Sequence, residues 1–129
     1  RVTTPVDLHD LQASVFESCG ATRRDGWAGT PLRRIPEDDA ERVIFSECHG
    51  AGPRAGSFMI RKGRWKLIYC FDAPHQLFDL VEDPHELTNL IDQNRSKAAE
   101  LERELRKICD PELENRKAFE FYGQPIVSG

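Results

Sequence analysis

The sequence lacks the features that mark membrane-spanning and nucleic-acid-binding proteins. No apolar run approaches the roughly 20 residues that a membrane-spanning helix needs. The chain has fewer basic than acidic residues. It contains 18 Lys and Arg and 22 Asp and Glu, which gives a formal net charge of −4. A general nucleic-acid-binding protein needs a basic surface to displace counterions from phosphates. We therefore expect no membrane and no nucleic acid among the partners of this chain.

The potential metal ligands are few and scattered. Cys19, Cys48, Cys70 and Cys109 form no Cys-x-x-Cys pair, and no two histidines have the His-x-x-x-His spacing that places two ligands on one helix face. The acidic residues show no EF-hand spacing. An even number of cysteines would allow two disulfides, but the chain is not cysteine-dense. We predict four reduced, mostly buried thiols and no metal site.

The chain before residue 42 predicts one helix and a long loop. Leu8, Leu11 and Val15 recur at helical spacing, which predicts a helix over 7–19 with Asp7 as its N-cap and Gly20 as its stop. Glycine and proline punctuate residues 20–41, so we expect mostly loop there, with a short apolar anchor at Trp27 and Leu32.

The rest of the chain predicts strands followed by helices. Segments rich in β-branched and aromatic residues predict strands over 42–47, 57–61, 64–70 and 76–80. Lys62-Gly63 is typical of a tight hairpin turn. We expect one helical turn over 85–90, a helix over 97–109 with Ser96 as its N-cap, and a helix from Asp110-Pro111 to about Tyr122, stopped by Gly123 and Pro125. This order predicts an α+β fold, an antiparallel sheet covered on one side by helices.

Local motifs yield two weak candidates for a binding role. His49 follows the first strand and opens a glycine-rich loop, the kind of position where working polar groups are often found. Gly50-Ala51-Gly52 has the wrong spacing for a phosphate loop and precedes a strand rather than a helix. Arg61 belongs to a basic hairpin, which can be a solvated face or an anion-facing edge. Its other members are Lys62, Arg64 and Lys66.

Three segments together resemble the C-terminal part of the sulfatase family, within the alkaline-phosphatase-like superfamily. They are Ser-Glu-Cys-His-Gly at 46–50, the stretch 58–69, and the stretch 76–90. Residues 77–90 match the tail signature Leu-Phe/Tyr-Asp-Leu-x-x-Asp-Pro-x-Glu-x-x-Asn-Leu throughout. The opening at 5–11 is similar to the family segment that follows the last strand of the catalytic domain. The residues of these motifs are most similar to those of the choline-sulfatase-like branch, although Cys48 occupies a position where that branch usually has an aromatic residue.

The resemblance implies that the parent protein is a sulfuric ester hydrolase acting on a small-molecule sulfate ester. Its nucleophile would be a formylglycine made in a Cys/Ser-x-Pro-x-Arg motif, beside a divalent cation (calcium, magnesium or manganese). No cysteine here lies in that motif. Leu113 replaces the arginine after Cys109, and Cys19, Cys48 and Cys70 have no proline two positions on. The chain is thus expected to hold no catalytic residue, no cofactor and no metal, and to be inactive alone.

The resemblance also divides the chain. Residues 1–41, including the N-terminal helix, would be the tail end of the missing larger catalytic domain. Residues 42–129 would be the C-terminal subdomain, a small antiparallel sheet of about four strands packed against C-terminal helices. This subdomain would cap the active-site cleft, with His49 and, more weakly, Arg61 as substrate contacts. The absence of an initiator Met before Val2 fits a piece of a longer protein.

Two alternatives stay open. The parent could be a phosphonate or phosphate monoester hydrolase of the same superfamily. The chain could instead be a structural or oligomerisation module, because the apolar stripe of the first helix would be exposed in the chain alone and would promote self-association. The compartment is unknown, with the cytoplasm favoured.

Overall fold

The computed structural model describes residues 2–22, 24–49 and 55–122. In chain order the elements are helix α1 (Leu8–Ser18), a short 3-10 turn (Leu32–Arg34), strands β1 (Val43–Cys48), β2 (Ser57–Lys62), β3 (Trp65–Cys70) and β4 (Gln76–Asp79), and helices α2 (Arg95–Ile108) and α3 (Pro111–Tyr122). The predicted α+β order is confirmed.

Helix α1 begins and ends where the sequence predicts. The side chain of Asp7 accepts a hydrogen bond from the amide of Asp10, and the side chain of Asp10 accepts one from the amide of Asp7, so the two residues form a reciprocal cap. Gly20 follows the helix with a φ of +65°, a conformation that glycine adopts at little cost.

The four strands form one antiparallel sheet in the order β1-β2-β3-β4. Lys62 pairs with Trp65, so the tight turn between β2 and β3 consists of Gly63 and Arg64, one residue later than predicted. Gly63 has a φ of +54°, and a Cβ at this position would lie 2.9 Å from the carbonyl oxygen of Ala40. The positive φ and the close carbonyl oxygen both explain why position 63 is a glycine.

The core lies between one face of the sheet and helix α2. In the strands, buried core side chains alternate with side chains on the opposite face of the sheet. Leu101 and Leu105 of α2 pack against the buried side chains. The sheet contributes Phe58, Ile60, Leu67, Tyr69 and Leu77. Burial of this apolar area is the main stabilising contribution to the domain.

Two local predictions need correction, and a third is not tested. Residues 85–90 form turns instead of a helical turn, because the side chain of Asp83 accepts the amide of Thr88 at 2.7 Å and competes with helical bonding. Helix α2 is capped by Asn94, whose side chain accepts the amide of Lys97, and not by Ser96. The predicted stop of α3 at Gly123 and Pro125 lies outside the described residues.

The loop over 20–41 is held by other residues than those predicted. Trp27 and Leu32 are 40% and 41% exposed, although Trp27 contacts the ring of Phe16 at 4.9 Å between centroids. Pro31 and Ile35 are the buried apolar residues of this segment. Within the described residues, no helix is both long enough and apolar enough to cross a bilayer.

Candidate functional site

His49 lies just beyond β1, against the edge of the core. Its side chain is 18% exposed, and its ring meets the ring of Phe58 edge-on at 5.1 Å between centroids. The alternation of side chains along β1 places Glu47 and His49 on the same face of the strand. As a result Nε2 of His49 lies 3.4 Å from a carboxylate oxygen of Glu47.

The other ring nitrogen of His49 is buried without a hydrogen-bond partner in the described part of the chain. In the neutral ring with its proton on Nε2, next to the carboxylate of Glu47, Nδ1 is an acceptor. A buried acceptor without a partner costs free energy, and such groups often mark a place where a ligand or water binds. His49 therefore offers one acceptor to a hydroxyl or amide donor.

Gly56, the residue that precedes β2, lies directly against His49. The amide of Gly56 donates to the side-chain oxygen of Asn115 on α3 at 2.6 Å. A Cβ at Gly56 would lie 2.8 Å from that oxygen and 2.9 Å from Nδ1 of His49, so any larger residue would force the side chains of Asn115 and His49 to move. The sequence does not single out Asn115, since a lone asparagine in a helix carries no spacing signal. Gly50-Ala51-Gly52 lies outside the described residues.

Arg61 does not join His49. Phe58 shares the face of His49, and Arg61 is an odd number of positions from Phe58 along β2, so it belongs to the opposite face of the sheet. The guanidinium Nε of Arg61 donates to the carbonyl oxygen of Gly63 at 3.1 Å. The structure thus brings together His49, Glu47 and Asn115, while Arg61 lies apart.

The other basic residues of the hairpin are paired with carboxylates. Lys62 contacts Glu41 at 2.7 Å, and Lys66 contacts Glu86 at 2.7 Å. Arg64 binds Asp79, and this hydrogen bond is the main reason why the pKa of Asp79 lies below its ordinary value. These pairs favour the solvated-face interpretation of the hairpin.

Side chains of the 77–90 signature bind the loop after β4 to the open edge of that strand. The side-chain oxygen of Asn89 accepts the amides of Leu77 and Ile91, each at 3.0 Å, and its amide group donates to the carbonyl of His75 at 3.1 Å. Asn89 therefore satisfies backbone groups that an edge strand would otherwise expose. Asp83 and Glu86, through the contacts described above, hold the same loop, so the described contacts of the signature are structural.

The cysteines are free thiols, as predicted, but none of them is fully buried. Cys19 and Cys48 are exposed, and Cys70 and Cys109 are half-buried. Burial raises the pKa of the Cys70 and Cys109 thiols, which makes these two less reactive. Within the described ranges, no three His, Cys, Asp or Glu side chains are grouped so that they could hold a metal ion.

Comparison with known proteins relates the chain to sulfatases over part of their length. No family model matches the chain. It is 33% identical over 120 residues to Arylsulfatase K of Danio rerio, a match that covers 85% of this chain and 23% of that protein. The resemblance to sulfatases is thus confirmed at this level, while the choline-sulfatase-like assignment stays a prediction.

Two solved structures share the fold. BT1596, a 2-O GAG sulfatase, matches 93% of this chain and 27% of its own, with a TM-score of 0.62 and 21% identity. BT4656 was solved in complex with its substrate D-glucosamine-2-N,6-O-disulfate, and it matches 79% of this chain and 24% of its own with a TM-score of 0.62 and 19% identity. The chain spans about a quarter of the length of the relatives that it matches.

Proposed function

We propose that the chain is the C-terminal part of a sulfate ester hydrolase, with residues 42–129 as the C-terminal subdomain and residues 1–41 as the tail end of the catalytic domain. The 33% identity to Arylsulfatase K over 85% of the chain carries this proposal. The shared fold supports it, because the same sheet and helices occur in the two sulfatase structures described above.

The nucleophile and the metal would come from the remainder of the parent protein. The described residues contain no candidate metal cluster, and no cysteine of the chain lies in a Cys-x-Pro-x-Arg motif. Hydrolysis of a sulfate ester needs positive charge beside the sulfate oxygens in the transition state. A divalent cation (calcium, magnesium or manganese) and a formylglycine in the parent would supply this chemistry, so the chain alone has no turnover.

Within the parent, His49 would contact the substrate at the rim of the active-site cleft. The buried nitrogen Nδ1 and its place next to Gly56, before β2, support this role. The substrate would be a small-molecule sulfate ester, and a sulfated sugar fits best because a sugar hydroxyl is a suitable donor to Nδ1. The substrate in the BT4656 complex is of this kind. Arg61 has a weaker claim, since it belongs to the other face of the sheet.

Steady-state kinetics of the intact parent test the proposal. Loss of one hydrogen bond to a neutral group costs about 0.5–1.5 kcal/mol, so we expect His49→Ala to lower kcat/KM for a sulfate ester by about 2- to 13-fold. His49→Gln retains an acceptor and should recover part of the loss. His85→Ala changes an exposed histidine elsewhere and should leave kcat/KM unchanged. Thermal unfolding of each variant separates a lost contact from a loss of stability.

Other outcomes would contradict the proposal. A parent that hydrolyses phosphate or phosphonate monoesters but no sulfate ester would be a phosphate-type hydrolase instead. A parent that hydrolyses neither class would favour a structural module. Metal-dependent sulfate ester turnover by the pure 129-residue chain would refute the assignment of the nucleophile to the rest of the parent.

A further inference from the structure

Asn115 of helix α3 binds the residue that precedes β2. Its side-chain oxygen accepts the amide of Gly56 at 2.6 Å, although the two residues are 59 positions apart in the chain. A backbone amide can only donate, so the oxygen of the Asn115 side chain, and not its NH2 group, faces Gly56. This hydrogen bond joins the start of β2 to α3 in one defined arrangement.

Gly56 passes this contact on to His49. A Cβ at Gly56 would lie 2.9 Å from Nδ1 of His49 and 3.2 Å from Cε1, so the backbone of Gly56 packs against this edge of the imidazole ring. The carbonyl oxygen of Gly56 accepts the amide of Phe71, just beyond β3, at 3.4 Å. Because the interior is closely packed, a shift of Gly56 would change the position of the ring.

The remaining contacts of the His49 ring do not involve Nδ1. Phe58 meets the ring edge-on, and the carboxylate of Glu47 lies beside Nε2. Nδ1 itself is buried, with Gly56 against it. The direction of Nδ1 therefore depends on the place of Gly56, and the place of Gly56 depends on Asn115.

Helix α3 gives Asn115 a firm support. Pro111, the first residue of the helix, is fully buried. The carboxylate of Glu112 accepts the hydroxyl of Tyr69 at 2.9 Å and binds the guanidinium of Arg106 through hydrogen bonds of 2.8 and 2.9 Å. Asn115 follows Glu112 by three positions, which places the two side chains on the same side of the helix. These contacts hold Asn115 in place relative to the core.

We propose that Asn115 is a positioning residue for His49, which acts through Gly56 and sets the orientation in which the imidazole ring meets the substrate. The inference deepens the proposed function and rests on it, since it requires His49 as a substrate contact. Asn115 does not itself need to touch the substrate. Loss of its hydrogen bond lets Gly56 move and the ring turn, which weakens binding of the substrate hydroxyl.

NMR of the 129-residue chain tests the coupling without an activity assay. Asn115→Ala removes the acceptor, so we expect the Gly56 amide to exchange hydrogen about 2- to 13-fold faster and the ring resonances of His49 to shift. Asn115→Asp keeps an acceptor oxygen and should keep the slow exchange. Arg116→Lys is the matched control, because it changes an exposed neighbour on α3 and keeps its charge. Ring resonances that do not move in Asn115→Ala would overturn the proposal.

Gly56→Ala displaces the ring by a second route. Its added Cβ would press on Nδ1 of His49, so the ring resonances should shift although Asn115 is unchanged. Thermal unfolding shows whether each variant folds, and Gly56→Ala decides the question if Asn115→Ala does not. Unshifted ring resonances in folded Gly56→Ala would also contradict the proposal.

Steady-state kinetics of the intact parent connect the coupling to the reaction. Asn115→Ala should raise KM for a sulfate ester by no more than His49→Ala does and leave kcat unchanged, because a rim contact binds substrate and transition state alike. In a parent that already carries His49→Ala, it should have no further effect, since Asn115 acts only through His49. Additive effects of the two substitutions would overturn the proposal. A parent without sulfate ester activity refutes the proposed function, while the His49 resonances still decide the coupling.

Discussion

The buried carboxylate of Asp10 joins three segments that precede the sheet. One oxygen accepts the amide of Thr30 at 2.8 Å and Nη2 of Arg42 at 2.7 Å, and the other accepts the amide of Asp7 at 3.0 Å. Burial raises the pKa of Asp10, but the amides of Thr30 and Asp7 and the guanidinium of Arg42 together outweigh it and hold the pKa below its ordinary value. Asp10 is therefore ionised at neutral pH.

Asp10→Asn tests how much this carboxylate contributes. The substitution keeps the size of the side chain but places an NH2 group where a carboxylate oxygen accepts hydrogen bonds. It also leaves the guanidinium of Arg42 without its counter-charge. Breaking a buried ion pair from one side costs about 3–5 kcal/mol. Arg42 retains 21% exposure of its side chain, so we expect the lower end, about 3 kcal/mol. Because residues 2–42 bury few apolar side chains, the loss should release this segment locally.

Hydrogen exchange measures that local release directly. A cost of about 3 kcal/mol corresponds to about 100-fold faster exchange of the α1 amides. The slowest amides of β2 and β3 should keep their rates, because their stability comes from the core with α2. Asp92→Asn is the control, since Asp92 is 83% exposed in its pair with Arg95. Unchanged exchange in α1, or equal acceleration in the sheet, would refute this reasoning.

Two further predictions concern the edge of the sheet and acid stability. Asn89→Ala removes the side chain that satisfies a β4 amide, so we expect the free energy of unfolding in urea to fall by about 1–2 kcal/mol, whereas Gln93→Ala, at an exposed position, should change little. The pKa of Glu112 lies below its ordinary value, chiefly because of its hydrogen bonds with Arg106. The pKa of Asp10 is lowered as well, for the reasons given above. The unfolded chain therefore binds more protons, so stability should be full above about pH 4.5 and fall as the pH drops further. A urea midpoint that does not change between pH 7 and pH 3 would contradict this.

Strand positions could be predicted well because each strand carries a local pattern. β2 and β3 are rich in apolar, β-branched and aromatic residues, and Gly63 marks the turn between them, so the predicted bounds differ from the observed ones by one residue. Residues 85–90 could not be predicted in this way. There Asp83 and Asn89 bind backbone amides, and these side-chain bonds replace the helical pattern that the residue types suggest.

The candidate site could be predicted only in part. The place of His49 after a strand and before a glycine-rich loop in the sequence predicts a binding role. Its contacts with Glu47 and Phe58, its buried nitrogen and the approach of Asn115 depend on packing between β1, β2 and α3. The roles of His49 and Arg61 as substrate contacts stay predictions, and the register places the two residues on opposite faces of the sheet.

By itself the sequence determined the order of the elements, the resemblance to sulfatases and the apolar period of α1, since each is a property of neighbours along the chain. The tertiary structure alone decided which side of each element is buried. In α1 the apolar side is the exposed one, because Asp10 binds Arg42, 32 residues away, and turns the polar side of the helix inwards. Helical periodicity predicts that a helix has two unlike sides, but only long-range contacts determine which of them faces the protein.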